Sequence, residues 1–513
     1  MTDVRIVTAK LGGSALSRAL QAGTAPRTWY TAAPTGGSGW RERASQRAAE
    51  RDWTELWRCL APALAASGQA RTRLERVIAA GGVVVTTGQQ PGLFGGPIYT
   101  LSKAVSAIAL ADALEAATGI PTAPVFWAAT DDADFAEASN TAVARRGGLD
   151  VLRSTAAPPA GTPMSLAPLG DLRQQIDRLA AACGSAADPR PLAIVRAAYG
   201  SDPSRSVGDA FVEELRNLLE PLGMAVLDAS HDAVALASEG VLRRALDVAG
   251  EVEQALKARG SEIRDAGFEP QVDEMAGLSL VFGRESMVKR RLAVNEHAAP
   301  GLRLTPNVLL RPVLEREILP TVAYVAGPGE LAYFAQVGPV ADALGVGAPL
   351  AVPRWSCTLV EPQVDELLQR LDAAEGDLTP VGALESRLAR RALETEASEA
   401  LTRLRSVIAA LPGEMRAVAS ALDLERAVQG AAGAMRHRAD RLERRLVAGV
   451  KRRETGLMTD AATVRAALRP LGGRQERVLN PIPILARHGT ALLEEMRDVA
   501  RHHADALVTG EAR

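Results

Sequence analysis

The chain has 513 residues, 47% hydrophobic and 23% charged, a globular composition with room for two or three domains. The 59 basic residues nearly cancel the 61 acidic ones and aromatics make up only 4%, so neither a nucleic-acid-binding field nor a base-stacking surface is expected. No apolar run approaches the ~18–20 residues of a membrane span, and the start MTDVRIVTAKLGGSAL lacks a signal peptide's apolar stretch, so a cytoplasmic protein is expected, with neither nucleic acid nor membrane as partner. Cys59, Cys183 and Cys357 are far apart and odd in number, which reads as reduced, buried thiols. No two of the six histidines stand at i,i+4 and none has a cysteine cluster nearby, so no metal-ligand set is assigned.

Residues 1–80 read as helical with breaks. A strand is predicted at 83–86, a helix from about 99 to 116, and a buried strand at 124–129. Strand, helix, strand at this spacing is a βαβ unit and implies a parallel sheet. Residues 150–205 are rich in Ala, Pro, Gly and Ser and suggest an insertion, or a looser subdomain, near 150–220. Further strands are predicted at 224–228, 278–282, 321–326 and 349–353, with helices at 230–258 and after Gly329. The fold class is therefore α/β: a Rossmann-like, mostly parallel sheet over residues 1–360 with helical insertions.

After Glu361 the pattern changes. Ala397, Leu401, Leu404, Ile408 and Leu411 form one heptad seam, and Val428, Ala432, Met435, Ala439, Leu442 and Leu446 a second. They predict an antiparallel α-helical coiled-coil hairpin within 361–455, turning near Pro412-Gly413, with Asp423 a candidate N-cap of the second helix. About 28 residues of helix would extend roughly 40 Å, and such a hairpin would serve as a homodimer contact. In the C-terminal segment 456–513, QERVLNPIPILARHG has a charged start and an apolar middle and is expected to return to the core.

Three stretches carry candidate chemistry. In TTGQQPGLFGGPIYTLSK, the loop follows a strand and opens a helix, where ligands bind in parallel sheets. Gly88, Gly92, Gly95 and Gly96 would let backbone N–H groups approach a ligand. Gln89, Gln90 and Tyr99 are candidate substrate contacts, and Lys103 adds a full positive charge behind the helix N-terminus. The loop matches neither GxGxxG nor GxxxxGK[ST], so a structural turn is the competing reading. In ATDDADFAEASN, Asp131, Asp132, Asp134 and Glu137 crowd four carboxylates into seven residues, which raises some pKa values. A substrate amine or Mg²⁺ would relieve them; helix capping by Asp132 or Asp134 explains only one or two. In TVAYVAGPGELAYFAQVGPV, Glu330, Tyr333 and Gln336 are spaced to share a helix face after Gly327-Pro328-Gly329, and Arg354 and Ser356 follow the next strand. Three strand-end sites on one sheet edge would converge on one cleft. No GxSxG, HExxH or CxxC motif is present.

Taken in order, TGQQPGLFGGPIYTLSKA, PVFWAATDDADFAE, RPVLEREILPTVAYVAGPGELAYFAQ, PLAVPRWSCTLVE and QERVLN resemble the bacillithiol-biosynthesis cysteine-adding enzymes, the cysteine ligases of the BshC family. The resemblance spans about residues 80–490. It implies a Rossmann-like core with connecting-peptide insertions, a dimerising coiled coil, and addition of cysteine to the amine of glucosaminyl-malate. Amide formation from free acid and amine is uphill in water, so ATP (yielding ADP or AMP) is the expected co-substrate. The family's acidic motif carries two histidines where this chain has Ala133 and Asn140, whereas Asp131, Asp132, Asp134 and Glu137 carry over. A histidine there would stabilise phosphate charge; here Lys103 or Arg354 would have to supply it, or the substrate differs, or the activity is lost.

Overall fold

The computed structural model describes residues 2–185 and 187–511. The chain divides into two compact units: residues 2–143, 151–359 and 476–511 form the first, and residues 144–150 and 360–475 the second.

The first unit is built on five parallel strands: β1 (Val83–Gln89), β2 (Thr122–Ala128), β3 (Ala225–Asp228), β4 (Thr321–Ala326) and β5 (Ala351–Pro353). Their spatial order is β5-β4-β1-β2-β3. β1 and β2 run in full register from Val83 opposite Thr122 to Gln89 opposite Ala128. VVVTT and TAPVFWA are apolar without alternation because both sheet faces are covered. On one face Val84, Val125 and Trp127 join the large core with the helices Thr54–Leu64 and Gly68–Ala80. Val83, Val85 and Phe126 point the other way and are fully buried. The helix Tyr99–Thr118 packs on β1 and β2 and is itself overlain by the helix Ala491–Thr509. Its many Ala and Ser positions let both neighbours approach, so it is buried almost all round.

The predicted sheet strands lie where the sequence puts them, except one. Leu278–Arg284 pairs antiparallel with Lys289–Ala293 and Arg303–Pro306 in a separate three-stranded sheet. Only Glu285–Val288 separates it from its first partner, far too short for a parallel crossover. The single helix predicted over 230–258 is two, Asp232–Asp247 and Ala249–Asp265. The Ala/Pro/Gly/Ser-rich stretch is not loose. Leu152, Met164, Leu179, Val195 and Tyr199 form an apolar cluster with Phe94, around the helices Arg173–Cys183, Arg190–Gly200 and Val207–Leu219.

The second unit contains the hairpin. Thr395–Glu414 and Glu425–Arg453 are antiparallel: Glu394 pairs with Arg453 while Arg405 pairs with Asp440, so partners run in opposite directions. Leu401, Ile408, Ala432 and Ala439 are buried at seven-residue spacing. Pro412-Gly413 does not make the turn. Pro412 lies in the last turn of its helix, and the reversal uses a short helix, Arg416–Ala421. Asp423 is not an N-cap: it adopts a left-handed φ of 53°, the conformation that terminates a helix, and Leu424 precedes the long helix. No helix among the described residues is long and apolar enough to cross a membrane.

Candidate active site

The chain runs outward from β1 to β2 and β3, then returns to β4 on the other side of β1. The crevice at the carboxyl ends of β1 and β4 is thus the topological switch point of the sheet, where such folds bind ligands. Lys103 stands there, only 4% exposed. Its ammonium donates to Gly88 O at 2.7 Å and Gln89 Oε1 at 3.0 Å, and pairs with Glu330 Oε2 at 2.6 Å. All three of its donors are committed, so it ties the β1 loop to the β4 loop rather than facing open solvent. Burial lowers its pKa and Glu330 opposes that shift. Glu330 also accepts from Gly327 N at 2.6 Å and from the Tyr324 hydroxyl. Burial alone would raise the Glu330 carboxyl, but Lys103 and Arg311 outweigh it and its pKa falls.

The predicted helix face splits. Tyr333 OH accepts from Arg311 Nη2 at 3.0 Å, and the same nitrogen donates to Tyr324 OH at 3.0 Å, so Tyr333 joins the Glu330 network from below. Gln336 does not. It brackets the backbone of Val272, accepting from N at 3.1 Å and donating to O at 2.9 Å, on another side of the helix. Two i,i+3 steps each lag a full turn, so by the third residue the stripe has rotated by roughly 120°. Arg354 and Ser356 are both 2% exposed and share one partner, Glu476. Arg354 makes a two-pronged pair at 2.8 and 2.8 Å, and Ser356 Oγ donates at 2.8 Å. Arg354 Nε is buried without a partner, and it flanks Gly327 together with Lys103 and Glu330.

The Gly-rich loop is a tight turn for most of its length. Gly96 N donates to Leu93 O, and Gly95 N to the Tyr199 hydroxyl at 3.3 Å, so these two N–H groups are not free for phosphate. A Cβ on Gly92 would sit 2.7 Å from Gly96 Cα, and one on Gly88 would sit 2.8 Å from Trp127 O. Close backbone approach, not ligand contact, requires glycine there. The crevice is met by the loop's first residues: Gln89 Nε2 donates to Tyr99 OH at 3.0 Å. Gln90 lies against Glu137, yet its amide nitrogen is buried without a well-aligned partner.

Two of the four acidic residues do the capping work. Asp132 Oδ1 accepts from Asp134 N at 2.8 Å, and Asp134 caps the short helix Phe135–Ala138 by accepting from Glu137 N at 3.0 Å. The other two have raised pKa values: Asp131 through burial and Asp132, Glu137 through burial, Asp134 and Asp132. The loop leaves β2 beside Gln89, whose carbonyl accepts from Ala129 N at 3.0 Å. Asp131 turns to the Lys289 side, while Glu137 approaches Tyr99 and Arg477. Among the described residues no group of three or more His, Cys, Asp or Glu side chains could hold a metal ion.

The model of the BshC N-terminal Rossmann-like domain matches residues 15–297 and 283–355, and that of the BshC C-terminal coiled-coil domain matches 357–506. The chain belongs to the BshC family. A relative from Koribacter versatilis named "Putative cysteine ligase BshC" is 33% identical over 465 residues, 85% of each chain. One of the same name from Salinibacter ruber is 30% identical over 85% of this chain and 84% of its own. A third, from Geobacillus thermodenitrificans, is 27% identical over 85% of each.

Within this BshC chain, sequence reasoning missed Arg311, Glu476, Arg477 and Asn480. All four lie in stretches quoted for the resemblance; Arg311 finds its partners within 22 residues, whereas Glu476, Arg477 and Asn480 reach partners more than a hundred residues away. Asn480 Nδ2 donates to Phe94 O at 2.7 Å and Gly96 O at 3.2 Å, pinning the Gly-rich turn from the C-terminal segment. Arg477 lies over the Tyr99 ring, 5.7 Å from its centroid. The available signal was a charged pair directly before the apolar NPIPIL: a charge carried into a core needs a buried partner. At the departure points, Ala133 offers no polar side chain, and the exposed Asn140 spends its amide on Ala136 O at 2.8 Å.

Proposed function

We propose that this protein is an ATP-dependent ligase that joins the carboxylate of cysteine to the amine of glucosaminyl-malate, working in the cytoplasm as a homodimer. The observation that carries this reading is the meeting of Gln89, Glu137, the Lys103–Glu330 pair and Arg354 around the switch-point crevice of a BshC-family chain. ATP, when bound, would supply the activated leaving group that an uphill amide bond needs. Arg354 is the residue to hold its anionic group, since its Nε–H is buried and unspent. Glu137, whose pKa is raised, takes the proton that the attacking amine must lose. Gln89 and Tyr99 orient the substrate, and Lys103 sets the position of Gln89. Asp132 and Asp134 shape the loop that presents Glu137. No step is assigned to Mg²⁺.

Ala133 and Asn140 favour a second reading: a related ligase using another amine, or a dimeric binding protein without catalysis. Mass spectrometry of purified enzyme with cysteine, glucosaminyl-malate and ATP distinguishes them. The cysteinyl amide is the expected product; its absence beside an active BshC control would overturn the first reading.

A further inference from the structure

Arg477 is the exception in its segment. Glu476 is buried against Arg354 and Ser356, Leu479 O accepts from Ile98 N at 2.9 Å, and Asn480 is buried under the Gly-rich turn. These neighbours fix the backbone on both sides of residue 477. The Arg477 side chain alone points outward and is exposed. Among the described residues it has no hydrogen bond or ion pair. Its one specific contact is the Tyr99 face, and that ring's hydroxyl is held by Gln89. A cation–π contact at an exposed site contributes too little to folding to account for an arginine held at this place. Glu137 lies within reach of its field, with the Gln90 amide against it. One rim of the crevice therefore presents a cation on a fixed stretch of backbone and a carboxylate of opposite sign, with an aromatic face and the Gln90 amide among them.

We infer that Arg477 recognises a carboxylate on the amine substrate, while Glu137 faces the amine itself. The ligand class is an amino sugar carrying a carboxylate close to its amine. This rests on the ligase reading above and adds to it the residue that selects the acidic amine over a neutral one. A planar guanidinium over a ring suits two-pronged carboxylate binding, which a lysine cannot match.

The test compares glucosaminyl-malate with methyl glucosaminide, which has the same amine and no carboxylate, in the wild type, Arg477→Lys and Arg477→Glu. Wild type should prefer the carboxylated amine. The ratio of the two kcat/KM values should fall at least tenfold in Arg477→Glu and by less in Arg477→Lys. The loss should appear in KM for the amine and not in KM for cysteine. An unchanged ratio, or a change confined to cysteine, would overturn the inference. Calorimetric titration of both amines without ATP separates the two claims. Carboxylate-dependent binding that Arg477→Glu abolishes, with no amide formed by wild type, would sink the ligase reading and leave this one standing. Wild type binding both amines equally, or neither, would sink this one whatever the product.

Discussion

Lys103 is a cation with every proton spoken for, and Glu330 is a carboxylate that depends on it. Removing one member of such a buried pair leaves the other uncompensated. Lys103→Met should therefore lower the free energy of unfolding by about 3 kcal/mol. The double variant Lys103→Met/Glu330→Gln should recover a substantial part of that loss, measured by urea denaturation as a double-mutant cycle. Additive losses would show that the two do not act as a pair. At this scale the sequence was partly legible. Lys103, Glu330 and Arg354 were recognisable because charges beside apolar strands and glycines need a reason. Arg354's partner was not, because Glu476 lies over a hundred residues beyond it and only the folded chain joins them. Gln336 misled because i,i+3 spacing holds for one step and drifts over two.

Elements that cover the site are joined by equally specific contacts. The Gly-rich turn rests on the helix Val207–Leu219 through Glu214, which is fully buried and accepts from Tyr199 OH at 2.9 Å. Burial pushes the Glu214 carboxyl up to about 8 from an ordinary 4.5, with Tyr199 opposing. A carboxyl whose pKa is higher in the folded state keeps its proton where the unfolded chain has lost it. Stability should then decline as pH rises from about 4.5 towards about 8, and level off above. Glu214→Gln, which keeps an acceptor for Tyr199, should flatten that decline by on the order of 2–4 kcal/mol between pH 5 and pH 8.5, read from urea unfolding at each pH. Identical slopes in both proteins would refute it. The strands of the parallel sheet were readable as unbroken apolar runs ending in glycine or acid. The strand Leu278–Arg284 looked the same locally; the short connection to Lys289 set its partner.

On the scale of the whole molecule, the hairpin fully buries only two residues of each heptad seam. Leu404, Met435 and Leu442 remain 41%, 46% and 46% exposed, while their seam-mates Leu401, Ile408, Ala432 and Ala439 are buried. A second copy is the occupant proposed for that face. Leu404→Glu combined with Leu442→Glu should convert a dimer to a monomer in sedimentation velocity while leaving the helical circular dichroism signal unchanged. A wild type that sediments as a monomer would remove the proposal. The seams themselves were legible from spacing, but not which of their residues would be spent inside the hairpin.

The join between Arg354 and Glu476 has a consequence for how the molecule comes into being. The sheet, the Gly-rich turn and the acidic loop are all encoded before residue 360, yet Arg354 gains its counter-charge and the turn gains its Asn480 pin only after more than a hundred further residues, the hairpin included, have left the ribosome. A nascent chain halted within the hairpin would carry every strand of the sheet and an unneutralised guanidinium at its heart, so competence at the crevice arrives late in synthesis and all at once.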